Sequence, residues 1–233
     1  MKIEQFTYPS LAAAVRASAG RSISIKNSKM PGSSFATDPF ACRAGSKLAQ
    51  VFGSTCNRCY ARRLAKMRPS VAKGYASNEA ALQSAAVSDT REDFVSGMAH
   101  QIQAAAIKTR QPFHRWFDAG DLASLSVLEL IADIARATPS VKHWLPTREL
   151  SIVRAFVRKH GPLADSLPAN LVLRVSSTMV DDAPRSAFPW TSTVHKQANA
   201  HGHACPAQGQ GNQCRDCRAC WSRDVANVSY HAH

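Results

Sequence analysis

The clearest hydrophobic pattern lies in the middle of the chain, where short apolar runs alternate with amphipathic stretches. Mostly apolar runs at 113–117, 141–145 and 171–175 have the length of strands, and their starts are 28 and 30 residues apart. Between them, residues 127–135 and 150–157 place apolar side chains at helical spacing. This separation of starts is typical of strand–helix units, so we predict parallel strands covered by helices.

The length of the chain limits the number of such units. Its 233 residues accommodate five or six strand–helix units, which is too few for a complete eight-stranded barrel. We therefore predict an α/β fold, a partial (βα) barrel of about five or six parallel strands with a C-terminal metal-binding tail. A doubly wound sheet is the alternative, since periodicity alone does not distinguish the two.

Outside this central region the pattern is weaker. Alternation at Ile23 and Ile25 predicts a short strand, and residues 190–194 are a further strand candidate. The alanine-rich stretch 76–109 predicts two helices that divide near Ser88. These elements extend the predicted fold on both sides of the central strand–helix units.

Residues 201–233 follow neither the helical nor the strand period. They contain four of the seven cysteines and four of the nine histidines. Apolar burial is too small to fold such a segment, so we predict that a bound metal organises it. The chain then divides into residues 1–200, the partial barrel with a front cysteine loop and an active-site rim, and residues 201–233, a cysteine- and histidine-rich metal-binding tail.

The composition argues against a disordered or a membrane protein. Hydrophobic residues make up 45% of the chain and charged residues 19%, which is enough for a packed core. No apolar run approaches the roughly 20 residues that span a bilayer, and the N-terminal sequence lacks the apolar region of a signal peptide. We therefore expect a soluble, cytoplasmic protein without a membrane partner, and the sequence leaves its oligomeric state open.

Positive charge is concentrated in the first third of the chain. The net charge is +13, and residues 1–75 alone hold 13 basic and two acidic residues. The basic residues around the first cysteines are Lys47, Arg58, Arg62, Arg63, Lys66, Arg68 and Lys73. A focused basic surface attracts polyanions, so we expect a nucleic acid or nucleotide as partner. The alternative is that these side chains offset the negative charge of a thiolate site.

Polar residues follow each of the three central strands. They are Asp118, Gly120 and Asp121 after the first strand, Thr147 and Arg148 after the second, and Ser176 and Ser177 after the third. Parallel sheets bind ligands at these carboxyl ends, so we expect an active-site rim. Asp118 or Asp121 would bind an ammonium or hydroxyl group or act as a base, and Arg148 would hold a carboxylate or phosphate. Helix capping is the competing role for Asp121 and Thr147.

The first three cysteines form a front group, Cys42, Cys56 and Cys59, in which the last two make a CxxC pair. An odd total number of cysteines without a signal peptide argues against a disulfide framework and favours metal binding. Three thiolates on a [4Fe–4S] cluster leave one iron open. Zinc with an additional ligand and a redox-active dithiol are the alternatives.

The other four cysteines form a rear group within residues 205–220. They are Cys205, Cys214, Cys217 and Cys220. Two successive CxxC spacings are typical of iron–sulfur proteins, because short loops wrap a cubane cluster. Structural zinc more often uses two separated CxxC hairpins. We favour a fully ligated cluster here, with zinc as the alternative.

Several of these motifs resemble known families. The segment CNRCYA, together with Cys42, resembles the cluster-binding loop of radical S-adenosylmethionine (SAM) proteins, where CxxxCxxC is usual and an aromatic residue lies nearby. In this chain, thirteen residues separate Cys42 from Cys56, and Tyr60 follows the last cysteine. The order of CxxCYA, a strand ending in Gly-Asp, WxxTR and CPA…CxxCRACW is similar to a phage family designated gene product 88, over most of residues 26–221.

The resemblance to radical SAM proteins implies a specific assignment of residues. Cys42, Cys56 and Cys59 would hold the cluster, whose open iron binds SAM, and reductive cleavage would give a 5′-deoxyadenosyl radical. Asp118, Gly120 and Asp121 would occupy the place of the SAM-contacting motif after the second strand. The cofactor-binding residues predicted on this basis are Tyr60, Gly120, Asp121 and Ser176, and the predicted catalytic residues are Asp118, Asp121 and Arg148.

Three hypotheses of function follow. The first is a radical SAM-like iron–sulfur enzyme with an auxiliary cluster, which modifies a nucleotide or nucleic acid, in the host cytoplasm if the protein is phage-encoded. The second is a zinc-stapled, TIM-barrel-like enzyme that exchanges a nucleobase, as tRNA-guanine transglycosylases do, with Asp118 or Asp121 catalytic. The third is a non-catalytic, metal-folded nucleic-acid-binding protein. The polar rim favours an enzyme, because a protein that only binds does not need it.

Overall fold

The computed structural model describes residues 7–25 and 27–232. Residues 1–6 and His233, which entered the signal-peptide and tail predictions, lie outside this range. The helices of the described part are α1 (Leu11–Ala17), α2 (Arg43–Leu48), α3 (Tyr60–Met67), α4 (Pro69–Val87), α5 (Arg91–Thr109), α6 (Leu125–Arg136), α7 (Leu150–His160) and α8 (Leu163–Ser166). The strands are β1 (Ser33–Phe35), β2 (Phe113–Trp116), β3 (Lys142–Thr147), β4 (Leu171–Ser176), β5 (Thr191–His195), β6 (His203–Ala204) and β7 (Asn227–His231).

The seven described strands form one open sheet in the order β1-β2-β3-β4-β5-β7-β6, and every neighbouring pair is parallel. The α/β class and the parallel sheet are confirmed. From β1 to β5 the strand order follows the chain, without the central reversal that defines a doubly wound sheet. The partial barrel stays a prediction, since pairing and order do not fix the curvature of the sheet.

The central elements form where the hydrophobic pattern predicts them. Strands β2, β3 and β4 coincide with the three apolar runs, and α6 buries its apolar stripe completely. Ser124 begins this helix, because its hydroxyl accepts a hydrogen bond from the backbone N–H of Val127 at 3.2 Å. Helices α4 and α5 divide at the predicted place, although α4 begins earlier, at Pro69, where a proline fits the first turn.

The first strand differs from the prediction. Residues 23–25 form only an isolated antiparallel bridge, between Ser24 and Ser34, and the strand of the sheet is β1. Its serines are buried but hydrogen-bonded, and Ser33 Oγ lies 2.9 Å from His114 Nδ1. Gly32 precedes β1 with a φ of +73°, and a Cβ there would lie 1.9 Å from the carbonyl oxygen of Phe113. Hydrogen bonds of buried serines and the close approach of Gly32 therefore position this strand. Neither feature produces an alternation of apolar residues in the sequence.

The tail also differs from the prediction, because two strands of the sheet, β6 and β7, lie within residues 201–233. Strand β7 pairs with β5 through side-chain hydrogen bonds as well as through the backbone. Thr191 Oγ1 donates to Asn227 Oδ1 at 2.8 Å, and Thr193 Oγ1 donates to Ser229 Oγ at 3.0 Å. Strand prediction depends on apolar alternation, which these polar pairs do not show. With β6 and β7 the described sheet has seven strands, where five or six were predicted.

The sheet has two different faces. Trp116, Leu145 and Leu173 point to the face that packs against the helices and forms the main core. Because side chains alternate along a strand, Arg115, Trp144 and Arg174 point to the other face. There a smaller core forms with the tail, which occupies the place of a second helical layer. None of the helices in the described ranges has the length and apolar composition that crossing a membrane requires.

Candidate metal and ligand site at the carboxyl edge of the sheet

The front cysteines lie in the segment that leaves the carboxyl end of β1. Cys42 immediately precedes α2, Cys59 immediately precedes α3, and Cys56 is buried in the turn between these helices. A Cβ at Gly45 in α2 would lie 3.7 Å from Cys42 Sγ and 3.8 Å from Cys56 Sγ. The two sulfurs therefore lie within about twice that distance of each other. Helix α2 takes up the first six residues of the thirteen-residue gap, and Cys42 at its start lies near Cys56.

The three thiols share one environment. Burial raises the pKa of Cys42 well above its usual range, and the carboxylate of Asp121 and the thiols of Cys59 and Cys56 raise it further. Burial also raises the pKa of Cys56, while the guanidinium of Arg148 opposes this effect. These mutual influences place the front thiols together, close to both the loop after β2 and the loop after β3.

Contacts to other strands fix the front segment in place. The backbone N–H of Thr55 donates to the carbonyl of Thr178, just after β4, at 2.9 Å. The backbone N–H of Ala44 donates to Glu149 Oε1, just after β3, at 2.7 Å. The cysteine segment therefore extends across the carboxyl ends of the central strands, where the polar rim was predicted.

The loop after β2 brings Asp118 to this edge. Ser34 Oγ donates to Asp118 Oδ2 at 3.0 Å, whereas the buried Oδ1 has no hydrogen-bond partner among the described residues. The hydroxyl of Tyr60, which follows Cys59, donates to the carbonyl oxygen of Asp118. Gly120 has a φ of +87°, and a Cβ there would lie 2.0 Å from Thr37 Oγ1. The loop therefore requires glycine where it passes the end of β1.

Asp121 is buried between two loops. Its Oδ1 accepts hydrogen bonds from the N–H of Leu122 at 2.8 Å and from Thr147 Oγ1 at 2.6 Å, and its Oδ2 accepts one from the N–H of Arg148 at 2.9 Å. Burial raises the pKa of Asp121 to about 6, although these bonds and the Arg148 charge oppose the shift. The carboxylate therefore links the loop after β2 to the end of β3.

Arg148 presents its guanidinium beside Cys56. Its Nε donates to Thr55 Oγ1 at 2.9 Å and to the carbonyl of Ser177 at 3.3 Å. Its two Nη atoms make no hydrogen bond within the described part of the chain. Ser177 is 3% exposed, and its hydroxyl has no partner among the described residues. Asp118 Oδ1, the Ser177 hydroxyl and the two Nη atoms of Arg148 are therefore available to hydrogen-bond a ligand.

Ser176, the fourth predicted cofactor-binding residue, lies at the end of β4 rather than in the loop. Its hydroxyl lies 2.9 Å from the hydroxyl of Ser192 on β5, and both residues are buried. The structure thus brings the other predicted site residues to one edge and leaves Ser176 engaged between two strands. Those other residues are Cys42, Cys56, Cys59, Tyr60, Asp118, Gly120, Asp121 and Arg148.

Two residues of this site carry no signal in the sequence. Glu149 is 3% exposed and fixes the start of α2 through Ala44, which is 105 positions away along the chain. Thr55 connects Arg148 to the cysteine segment. Both act through long-range contacts that no local pattern encodes.

The front donor set consists of three neighbouring thiols. In the described ranges, no group of three or more His, Cys, Asp or Glu side chains converges on a point that could hold one metal ion. Zinc requires all its ligands within about 2.0–2.3 Å of one point, whereas a cubane spreads its thiolates over separate irons. Thiolates are ligands of both groups, so the three front thiols are candidate donors for either.

The rear cysteines lie on the face of the sheet that the helices leave uncovered. Cys205, Cys217 and Cys220 pack against a small core that contains Trp144 and Trp221. The structure does not bring these cysteines into the rim; they form a second, separate group of thiols.

The basic residues near the front cysteines lie on an exposed surface. Arg58, Arg63, Lys66 and Arg68 are exposed on α3 and its flanks. Large apolar side chains are exposed among them: Phe52 at 89%, Tyr60 at 62% and Met67 at 64%. We call the surface formed by these seven residues the basic–aromatic surface.

A family model described as Gene product 88 matches residues 28–223. This range includes all seven cysteines and the complete polar rim. No curated protein and no solved structure matches the chain.

Proposed function

The chain belongs to the gene product 88 family, and we propose that it is a radical SAM-like iron–sulfur enzyme that modifies a nucleotide or nucleic acid. One observation carries this proposal: Cys42, Cys56 and Cys59 lie together in the segment after β1, beside the polar loop that follows β2. Three thiols at the carboxyl edge of a parallel sheet are a donor set that leaves one iron of a cubane without a protein ligand.

The winding of the sheet supports the proposal. Strands β1 to β5 follow one another in chain order and are all parallel, and the long helices cover one face. This is the winding of a (βα) barrel. A partial barrel, which is part of the proposal, would curve the carboxyl edge around the front cysteines.

Each residue of the rim has a proposed task. Cys42, Cys56 and Cys59 would hold the cluster, which when bound supplies an electron to the sulfonium of SAM. The two Nη atoms of Arg148 would hold a carboxylate or phosphate in a bidentate manner. Asp118 Oδ1 would accept a hydrogen bond from an ammonium or hydroxyl group of the ligand.

Asp121 has a positioning role in this proposal. Its oxygens already accept three hydrogen bonds from Leu122, Thr147 and Arg148. It therefore fixes the backbone of Arg148 and the loop that carries Asp118, rather than contacting the ligand. Its raised pKa is a consequence of burial.

The basic–aromatic surface supports a nucleic acid or nucleotide as substrate. Arg58, Arg63 and Lys66 supply positive charge for phosphates. The exposed rings of Phe52 and Tyr60 offer faces on which bases can stack. Proteins that bind single-stranded nucleic acids combine such rings with positive charge. Tyr60 also contacts the loop after β2, so the surface is continuous with the rim.

The experiment for this proposal is electron paramagnetic resonance of the reduced, anaerobically purified protein, with and without SAM. We expect an iron–sulfur signal that changes when SAM is added, because SAM would bind the open iron. A signal that SAM leaves unchanged would contradict the proposal. Zinc without iron would favour the second candidate, a nucleobase-exchange enzyme, for which the unpartnered Asp118 Oδ1 is the supporting observation.

A further inference from the structure

Among the described residues, Arg174 is a buried cation without a matching anion. It lies in β4, is 0% exposed, and donates hydrogen bonds to the backbone carbonyls of Cys220 at 3.1 Å and of Ala219 and Ser222 at 2.8 Å. All these acceptors are uncharged. The ion pairs of the described residues involve other side chains, on the helices. A buried charge is costly unless an opposite charge compensates it, so this environment lacks an anion.

Two further arginines lie on the same face of the sheet. The guanidinium of Arg115 lies over the Trp144 ring, 4.5 Å from its centroid, and that of Arg218 lies over the Phe113 ring at 5.0 Å. Arg115 Nε is buried without a hydrogen-bond partner among the described residues. Neither side chain forms an ion pair within the described part of the chain. Three cations therefore surround one region of the face.

The rear thiols occupy that region. The N–H of Cys205 donates to the carbonyl of Ser229 on β7 at 2.8 Å, and the N–H of Cys217 donates to the carbonyl of Cys214 at 2.9 Å, which closes a turn. Cys220 Sγ lies 3.1 Å from the hydroxyl of Tyr230. Cys205, Cys217 and Cys220 pack against the same aromatic core. The turn joins Cys214 to Cys217.

We propose that Cys205, Cys214, Cys217 and Cys220 bind a [4Fe–4S] cluster in a closed, four-thiolate centre on this face of the sheet. The formal charge of such a centre is about −2, which supplies the anion that Arg174, Arg115 and Arg218 lack. All four irons have a protein ligand, so this centre holds the tail on the sheet and binds no substrate. The cluster is preferred to zinc because Cys214, Cys217 and Cys220 follow one another at two successive CxxC spacings, which are typical of cubane ligands.

This inference does not depend on the proposed function, since no front residue takes part. It also accounts for the second face of the sheet, which no long helix in the described ranges covers. The metal-stapled tail shields Trp144 and Trp221, which would otherwise face water. A metal centre here would therefore supply the stabilisation that a covering helix would otherwise gain by burying apolar surface.

The test uses the full chain with the front group removed by Cys42→Ala, Cys56→Ala and Cys59→Ala. Purified anaerobically, this variant should retain about four irons and four sulfides per chain. Adding Cys217→Ala and Cys220→Ala should remove them. Zinc instead of iron in the front-group variant, or an iron content that the added changes leave unaltered, would overturn the proposal.

A second measurement covers the case in which the front-group variant does not fold. The wild-type chain and a variant with only Cys217→Ala and Cys220→Ala are compared, and the variant should lose about four irons per chain. Limited proteolysis should then cut residues 201–223 in the variant but not in the wild type. Equal iron in both proteins, or equal resistance of the tail, would contradict the closed centre, whether or not either protein cleaves SAM.

Discussion

Thr147 Oγ1 donates a 2.6 Å hydrogen bond to the carboxylate of Asp121, and this bond joins the loop after β2 to the end of β3. The same carboxylate accepts a hydrogen bond from the backbone N–H of Arg148, whose guanidinium lies near Cys56. A single buried side chain therefore links the loop that carries Asp118 to Arg148, the two residues proposed to bind the ligand. The arrangement of the rim depends on this link.

The first prediction concerns the pH dependence that Asp121 causes. Its pKa is about 6 in the folded chain and 3.8 in the reference state, so between these values the folded state binds more protons. The free energy of unfolding should therefore fall as the pH rises from about 4 to about 6. Asp121→Asn removes this contribution. Urea unfolding of both proteins at several pH values measures the difference, and a difference that does not vary with pH would contradict the prediction.

The second prediction concerns the glycine at the end of β2. Gly120→Ala forces a Cβ to within 2.0 Å of Thr37 Oγ1 at a φ of +87°, and should lower the free energy of unfolding by about 2 kcal/mol or more. Gly74→Ala is the matched control, because Gly74 lies in α4 with nothing within 4 Å of its Cβ position. This control should raise stability by about 0.5–1 kcal/mol.

Thermal and urea denaturation of the two glycine variants measure these effects. Equal stability of Gly120→Ala and the wild type would mean that the loop after β2 does not approach Thr37 as described. The rim geometry would then need revision.

The third prediction concerns nucleic-acid binding by the basic–aromatic surface. Arg63→Glu reverses an exposed charge on α3, and should weaken binding to a single-stranded oligonucleotide about tenfold and reduce the salt slope by about one. Arg158→Glu changes the net charge equally on the exposed side of α7, and should have a much smaller effect. Fluorescence anisotropy at several salt concentrations gives both values.

An equal loss of affinity in the two charge variants would show that binding follows net charge alone. The basic–aromatic surface would then not be the interface. Absence of oligonucleotide binding by the wild-type chain would instead favour a free nucleotide as substrate within the proposed function.

The sequence predicts those parts of the fold that apolar burial defines. Strands β2, β3 and β4 and helix α6 are visible because their buried side chains are apolar. Strands β1 and β7 are not, because serine, threonine and asparagine side chains pair across them by hydrogen bonds. A hydrophobic pattern contains no information about such pairs.

The candidate site is predictable to a similar extent. The cysteines and strand-end residues such as Asp118 and Arg148 are identified by residue type and position. The link between Glu149 and Ala44 is not, since it depends on how α2 folds against β3. Arg174 is visible in the sequence as a charge that interrupts an apolar strand. Its partners, the backbone carbonyls of Cys220 and Ala219, are known only from the structure.

The most direct test of the central claim is the formation of 5′-deoxyadenosine from SAM by the reduced, anaerobically purified chain. We expect slow formation by the wild type without substrate, and none by Cys42→Ser, because three thiolates are required to hold the front cluster. The rear iron of Cys42→Ser should remain, which shows that the variant is folded. Equal product from Cys42→Ser and the wild type, or no product from an iron-loaded wild-type chain, would contradict the account.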